Sequence, residues 1–180
     1  MDQQAAYQRL IAPIEARMMR SIWRVVRHRD DAQDAMQEAL VTIWRRWERL
    51  ESHPHPEALV LRICVNAAWD VLRRRQRQRR VVDPDAIPDD VQDAGPSALE
   101  TAVGVEAQAR IHRAIATLPK NQATAIVLHA IEEVPYEELA AAMGCREVTV
   151  RTHVARARAK LRALLADLLP CERQGKASHV

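Results

Sequence analysis

Six guanidinium groups fall within eight positions, at Arg73, Arg74, Arg75, Arg77, Arg79 and Arg80. Such density repels itself and becomes favourable where a phosphate backbone neutralises it. A helix C-terminus is well served by one or two bases, so a solvated basic helix end explains six less well. A second set lies in EELAAAMGCREVTVRTHVARAR, residues 137–158. There Leu139, Ala140, Met143, Cys145, Val150 and Val154 are inward-type residues, and Gly144 stands where the chain must turn tightly. Arg146, Glu147, Val148, Arg151, Thr152 and Ala155 are left pointing outward, as a second helix would present them to a major groove. Arg156, Arg158, Lys160 and Arg162 extend the basic character, although helical hairpins can show the same pattern by chance.

Other chemistry is poorly supported. No convergent nucleophile, base or metal set is apparent, so no catalytic residue, metal site or cofactor is expected. His53 and His55 flank a proline, and two histidines fall short of the three or four ligands zinc requires. Cys64, Cys145 and Cys171 form an odd, widely spaced set that fits neither a disulfide scaffold nor a structural zinc site.

The surrounding elements read as helices. The chain of 180 residues is 48% hydrophobic, only 3% aromatic, and holds four glycines, which argues against a turn-rich β fold. No apolar run reaches the ~18 to 20 residues of a membrane span, and MDQQAAYQRL lacks the apolar stretch of a secretory leader. A cytoplasmic protein without membrane insertion is therefore expected.

Net charge of +3 hides three zones. Residues 1–80 carry 16 bases and 10 acids, 81–109 carry 7 acids and no base, and 110–180 carry 11 bases and 7 acids. Two polyanion-binding modules on either side of an acidic tether fit this distribution. The expected fold is all-α, with two small helical domains: a three- to four-helix bundle over 1–80 and a helix-turn-helix domain over 105–170. A flexible acidic linker at 81–104 joins them, and 171–180 is a tail.

In the first module, Ala32, Ala35, Met36, Ala39, Leu40, Ile43, Trp44 and Trp47 repeat at helical spacing, with Asp30 or Asp31 as the expected cap. The opposite face carries Asp34, Gln37 and Glu38, which by themselves could be an ordinary solvated surface. Leu10, Ile14, Met18, Ile22 and Val25 predict a preceding helix. Leu59, Ile63, Ala67 and Val71 predict a following one, opened by Pro56 and Glu57. In the second module, LPKNQATAIVLHAIEEV predicts the helix supporting the helix-turn-helix.

Taken together, residues 8–168 resemble the sigma-70 family of RNA polymerase sigma factors, in its small extracytoplasmic-function (ECF) group. DAQDAMQEALVTIWRRW resembles the family's core-polymerase-binding helix, written D-A-E-D-x-x-Q-E. PEALVLRICVNAAWDVLRRR resembles the segment that melts and reads the −10 element. LPKNQATAIVLHAIEEVPYEELAAAMGCREVTVRTHVARARAKLR resembles the −35-reading domain, with L-P-x-x-Q, Y-x-E-[IL]-A and T-V-x-x-x-x-x-R-A-R signatures. Departures stand at Leu59 for Trp, Ala123 for Arg, Val148 for Gly and His153 for Arg. Those at 123 and 153 are expected to remove two phosphate contacts, while Trp69 is a candidate replacement for aromatic surface.

The resemblance implies a non-enzymatic partner of core RNA polymerase and promoter DNA, with an anti-sigma factor as a further candidate partner. Asp34, Gln37 and Glu38 would dock on a basic helix of the polymerase. Asn66, Arg73, Arg74, Arg75 and Arg77, with the loop from Leu50 to Pro56, would serve the −10 element, where a base is flipped into a pocket. Arg146, Glu147, Arg151 and Thr152 would face −35 base edges, Arg pairing with guanine and Glu accepting from cytosine. Thr149, Arg156 and Arg158 would meet phosphates or cap the helix. A stand-alone helix-turn-helix regulator is the alternative, and it leaves the first module without a task.

Overall fold

A computed structural model describes residues 3–82 and 102–166, and every element in them is helical. The first group comprises α1 (Gln3–Leu10), a 3-10 turn (Ala12–Ile14), α2 (Glu15–Trp23), α3 (Arg29–Arg45), α4 (Trp47–Glu51) and α5 (Pro56–Val82). The second comprises α6 (Ala102–Ala116), α7 (Lys120–Ile126), a π turn (Val127–Ile131), α8 (Tyr136–Met143) and α9 (Glu147–Leu164). The all-α expectation and its two helical groups are thus present. Most of the expected acidic linker and the whole tail at 171–180 lie outside the described residues.

Local chemistry explains where the helices differ from their expected extents. The apolar run from Leu10 to Val25 is interrupted at Pro13, whose ring and missing N–H do not fit a helix interior. The N-cap of α3 is His28, in extended conformation and without a side-chain capping bond. Asp30 and Asp31 fall instead in the first turn, where they still complement the helix dipole. The helix expected to continue to Trp47 breaks at Arg46, with φ −118° and ψ 23°. Trp47 therefore turns inward, its ring 6.5 Å from that of Tyr7, while Trp44 remains 53% exposed. Trp44 is not part of the core: it lies about 100° around the helix from buried Ile43.

Helix α5 is the shared wall. It packs on α2 and α3 of its own group and on α7 and α8 of the other, so buried side chains form one continuous core. Trp69 lies at the centre of that helix and is 1% exposed, so it supplies no aromatic surface. Polar contacts frame the seam between the groups. Arg62 donates to the Ala142 carbonyl, and Arg17 donates to the Glu132 carbonyl at 2.7 Å. Lys120 meets Asp70 at 2.6 Å. His53 Nδ1 accepts from the His55 backbone N–H at 3.1 Å, which leaves Nε2–H to donate to the Ala141 carbonyl at 3.3 Å.

Helix α8 ends in a Schellman motif. The Gly144 N–H donates to the Ala141 carbonyl and the Cys145 N–H to the Ala140 carbonyl, with Gly144 at φ 67°. A Cβ at this position would have no heavy atom within 4 Å, so its cost would be backbone strain alone. Gly144→Ala is expected to destabilise the chain by ~1 to 2 kcal/mol in urea unfolding, and Gly144→Asn by less. Equal stability of Gly144→Ala and wild type would contradict this account.

Candidate functional site

The predicted site residues fall on three surfaces. On α3, Asp34 and Gln37 are exposed and Glu38 is half-buried. Val41 and Trp44 continue the same face and are 47% and 53% exposed. Sequence periodicity placed Trp44 in the apolar stripe and overlooked Val41 as a surface residue. Their exposure puts two apolar groups beside the acids, as in a docking interface whose apolar centre is bordered by a charged rim.

The second surface is the basic half of α5. Arg73 and Arg75 are half-buried, while Arg74 and Arg77 are exposed. Two of these cations are already neutralised within the chain. Arg74 donates to Glu38 at 2.7 Å, and Arg75 pairs with Asp31. That hydrogen bond, and then the Glu38 charge, raise the Arg74 pKa. A residue expected to meet polymerase, Glu38, thus holds one expected to meet DNA. Asn66, expected to serve the −10 element, faces the seam and accepts a hydrogen bond from Thr124 Oγ1 at 3.1 Å. Nearby, burial and then the charges of Arg49 and Arg46 hold the Arg62 guanidinium below its ordinary pKa.

The third surface is α9. Val150, Val154 and Ala157 are buried, and Arg146, Arg151, Thr152, Arg156 and Arg158 are exposed. Glu147 and Thr149 are half-buried in the first turn. The Thr152 hydroxyl donates to the Val148 carbonyl at 2.8 Å, leaving its oxygen as an acceptor and its methyl for apolar contact. Arg151 donates through Nε to Glu147 at 2.8 Å, and its Cζ lies 4.2 Å from the centroid of the Tyr136 ring. Tyr136 gave no sequence signal for such a contact, because the three residues are brought together only by the turn between α8 and α9.

The family departures resolve individually. Ala123 is fully buried while α7 packs on α5 and α9. His153 is half-buried, whereas Val148 is 66% exposed on the outward face. Leu59 is partly buried against the core.

Among the described residues, no group of three or more His, Cys, Asp or Glu is placed to hold a metal ion. No described helix is long and apolar enough to cross a membrane. Burial pushes the Cys64 thiol up to about 12, which leaves it unreactive at neutral pH.

Comparison with known proteins agrees with this division. Residues 7–78 match the model of sigma-70 region 2, and residues 108–161 match that of sigma-70 region 4. The RNA polymerase sigma-E factor of Streptomyces coelicolor is 30% identical, over 81% of this chain and 77% of its own. The RNA polymerase sigma-H factor of Pseudomonas aeruginosa is 29% identical, over 91% and 88%. The ECF RNA polymerase sigma factor SigE of Mycolicibacterium smegmatis is 31% identical, over 83% of this chain; the chain spans 58% of that relative's length. In fold, the chain is similar to the Bartonella quintana sigma factor RpoE, solved in complex with the anti-sigma factor NepR. The TM-score is 0.62 at 24% identity, covering 91% of this chain and 98% of that one. With both regions matched in order around the α5 and α9 surfaces, and the ECF RNA polymerase sigma-E factor of Escherichia coli 30% identical over 71% of this chain and 70% of its own, the chain belongs to the sigma-70 family of RNA polymerase sigma factors, in its extracytoplasmic-function group.

Proposed function

We propose that this chain binds core RNA polymerase through the α3 face and directs it to promoters through the α5 and α9 surfaces, initiating transcription without a catalytic group of its own. The observation that carries the reading is α9: its buried residues anchor it, and its exposed residues form a basic face of the kind that enters a major groove. In this reading Asp34, Gln37, Glu38, Val41 and Trp44 meet the polymerase. Asn66, Arg73, Arg74, Arg75 and Arg77 serve the −10 element, and Arg146, Glu147, Thr149, Arg151, Thr152, Arg156 and Arg158 the −35 element. The protein would act in the cytoplasm, where the polymerase works. An anti-sigma factor is a further partner, as it is for the Bartonella protein.

The seam gives this reading a conformational requirement. Asn66 is half-buried at the seam and already accepts from Thr124, so α7 is expected to leave α5 to give a flipped base full access to it. The seam is suited to opening, because Arg62 sits half-buried in it beside two further cations. Labels placed by non-thiol chemistry at exposed Glu57 and Asn121 should separate when core polymerase binds. An unchanged separation in a transcribing holoenzyme would overturn the requirement.

Run-off transcription with core polymerase tests the function as a whole. A stand-alone regulator would bind its DNA without core and support no transcript. Asp34→Arg combined with Trp44→Ala should weaken co-purification with core polymerase by about ten- to thirty-fold, with helicity unchanged because both side chains are exposed. Undiminished capture by the folded variant would remove α3 from the interface. Replacing Arg73, Arg74 and Arg75 by Gln should lower the salt slope of promoter binding by about two to three units, at ~0.7 to 0.9 per phosphate contact. An unchanged slope would return these residues to a solvated helix end.

A further inference from the structure

The turns before and after α8 gather His129, Tyr136 and Glu147 about Arg151. His129 sits in the π turn, and its Nδ1 donates to the Val134 carbonyl at 3.0 Å. Its ring lies 3.8 Å from the Tyr136 ring, centroid to centroid, at an interplanar angle of 30°. Glu133, at φ 57°, turns the chain so that the Val134 N–H returns to the Leu128 carbonyl, and α8 then opens at Tyr136. The Arg151 guanidinium lies over the Tyr136 ring, and Glu147, one helical turn earlier, accepts from both its Nε and one terminal nitrogen.

A guanidinium has five N–H donors in a fixed plane. Glu147 takes two of them along one side. Each terminal nitrogen still carries a free hydrogen, so the end of the group remains a two-pronged donor. That is the fork that matches the O6 and N7 acceptors of guanine. Meanwhile the Tyr136 face restrains the plane of the group, which otherwise rotates freely on an exposed stem.

We infer that Tyr136 and Glu147 are positioning residues that hold Arg151 end-on to the −35 element, and that the base pair selected there is a G·C with guanine facing Arg151. This rests on the proposed promoter-binding role of α9. Glu147 then orients Arg151 instead of reading cytosine itself. Preorganisation of this kind acts on discrimination, because a fork held in one plane forfeits both hydrogen bonds when the wrong base is presented.

The test uses holoenzyme assembled with core polymerase and duplexes selected from a pool randomised across the −35 element, at fixed salt. The quantity read is the ratio of affinities for the preferred base pair over the other three at the Arg151-dependent position. Arg151→Ala should collapse that ratio by about ten-fold or more. Tyr136→Leu and Glu147→Gln should each lower it by about two- to five-fold, while Tyr136→Phe, which keeps the ring face, should retain it. Neither Tyr136→Leu nor Glu147→Gln should change the ratio further in an Arg151→Ala background. If Tyr136→Leu and Glu147→Gln weaken every duplex by a common factor, the two residues are merely structural and the inference fails. A preferred base other than guanine would also overturn it. If Arg151→Ala itself leaves the ratio intact, the failure lies instead in the promoter-reading role of α9.

Discussion

Burial of α5 on two sides is the constraint from which the rest of the arrangement follows. Val60, Leu61, Cys64, Val65, Ala68 and Trp69 are all essentially inaccessible to water, a run too broad for a helix packed on one neighbour. At ~25 cal/mol per Å2 of apolar surface, opening either side is costly unless another surface replaces it. The first helical group depends on α5 for its core, since α2 and α3 both close against it. The second group depends on it less: α7 and α9 pack on one another, and α8 packs on α9. The seam with α7 and α8 is therefore the face that can be given up.

The distribution of charge follows the same division. Basic groups expected to meet DNA or to close the seam hold an acid within the chain: Arg74 with Glu38, Arg75 with Asp31, Arg151 with Glu147, and Lys120 with Asp70. Pairs near the surface contribute little net stability, because water and salt compete for both partners. They do lower the repulsion that six neighbouring arginines would otherwise impose on the free chain. At Arg74 and Arg75 a phosphate backbone can replace the carboxylate one for one, so binding there becomes an exchange of anions with little of the desolvation a bare cation would require. Arg75 and Asp31 are more enclosed than Arg74 and Glu38, which makes Arg74 the readier of the two to exchange.

What the sequence reveals, and where it falls short, divides along local against non-local physics. Helical periodicity identified α3, α5 and α9, and the tight turn at Gly144 was legible because few residues other than glycine tolerate positive φ. Trp44 was misplaced because the stripe Ala32, Ala35, Met36, Ala39 and Ile43 is narrow, and an adjacent tryptophan extends the pattern without entering the core. Ala123 shows the opposite limit: the resemblance leads one to expect Arg and therefore surface at this position, yet its side chain is wholly inaccessible in α7. The Asn66–Thr124 and Arg62–Ala142 contacts left no trace in either segment alone, being 58 and 80 residues apart in the chain. Tyr136 belongs with these, since its role as a platform exists only after the turn has folded.

One consequence joins the seam to the third surface. Ala141 and Ala142, whose carbonyls receive His53 and Arg62, occupy the last turn of α8, immediately before the Schellman turn that sets the start of α9. Carbonyls at a helix C-terminus carry the negative end of its dipole, so a cation is favoured there. Arg62 therefore stabilises the end of α8 while the seam is closed. When the seam opens, the Ala142 carbonyl passes to water, yet the Gly144 and Cys145 hydrogen bonds that close the turn remain. Opening can thus expose Asn66 without unseating Glu147, Arg151 and Tyr136. Access to Asn66 is subject to the position of α7, whereas the Glu147–Arg151–Tyr136 group is set within its own helix-turn-helix and does not depend on the seam.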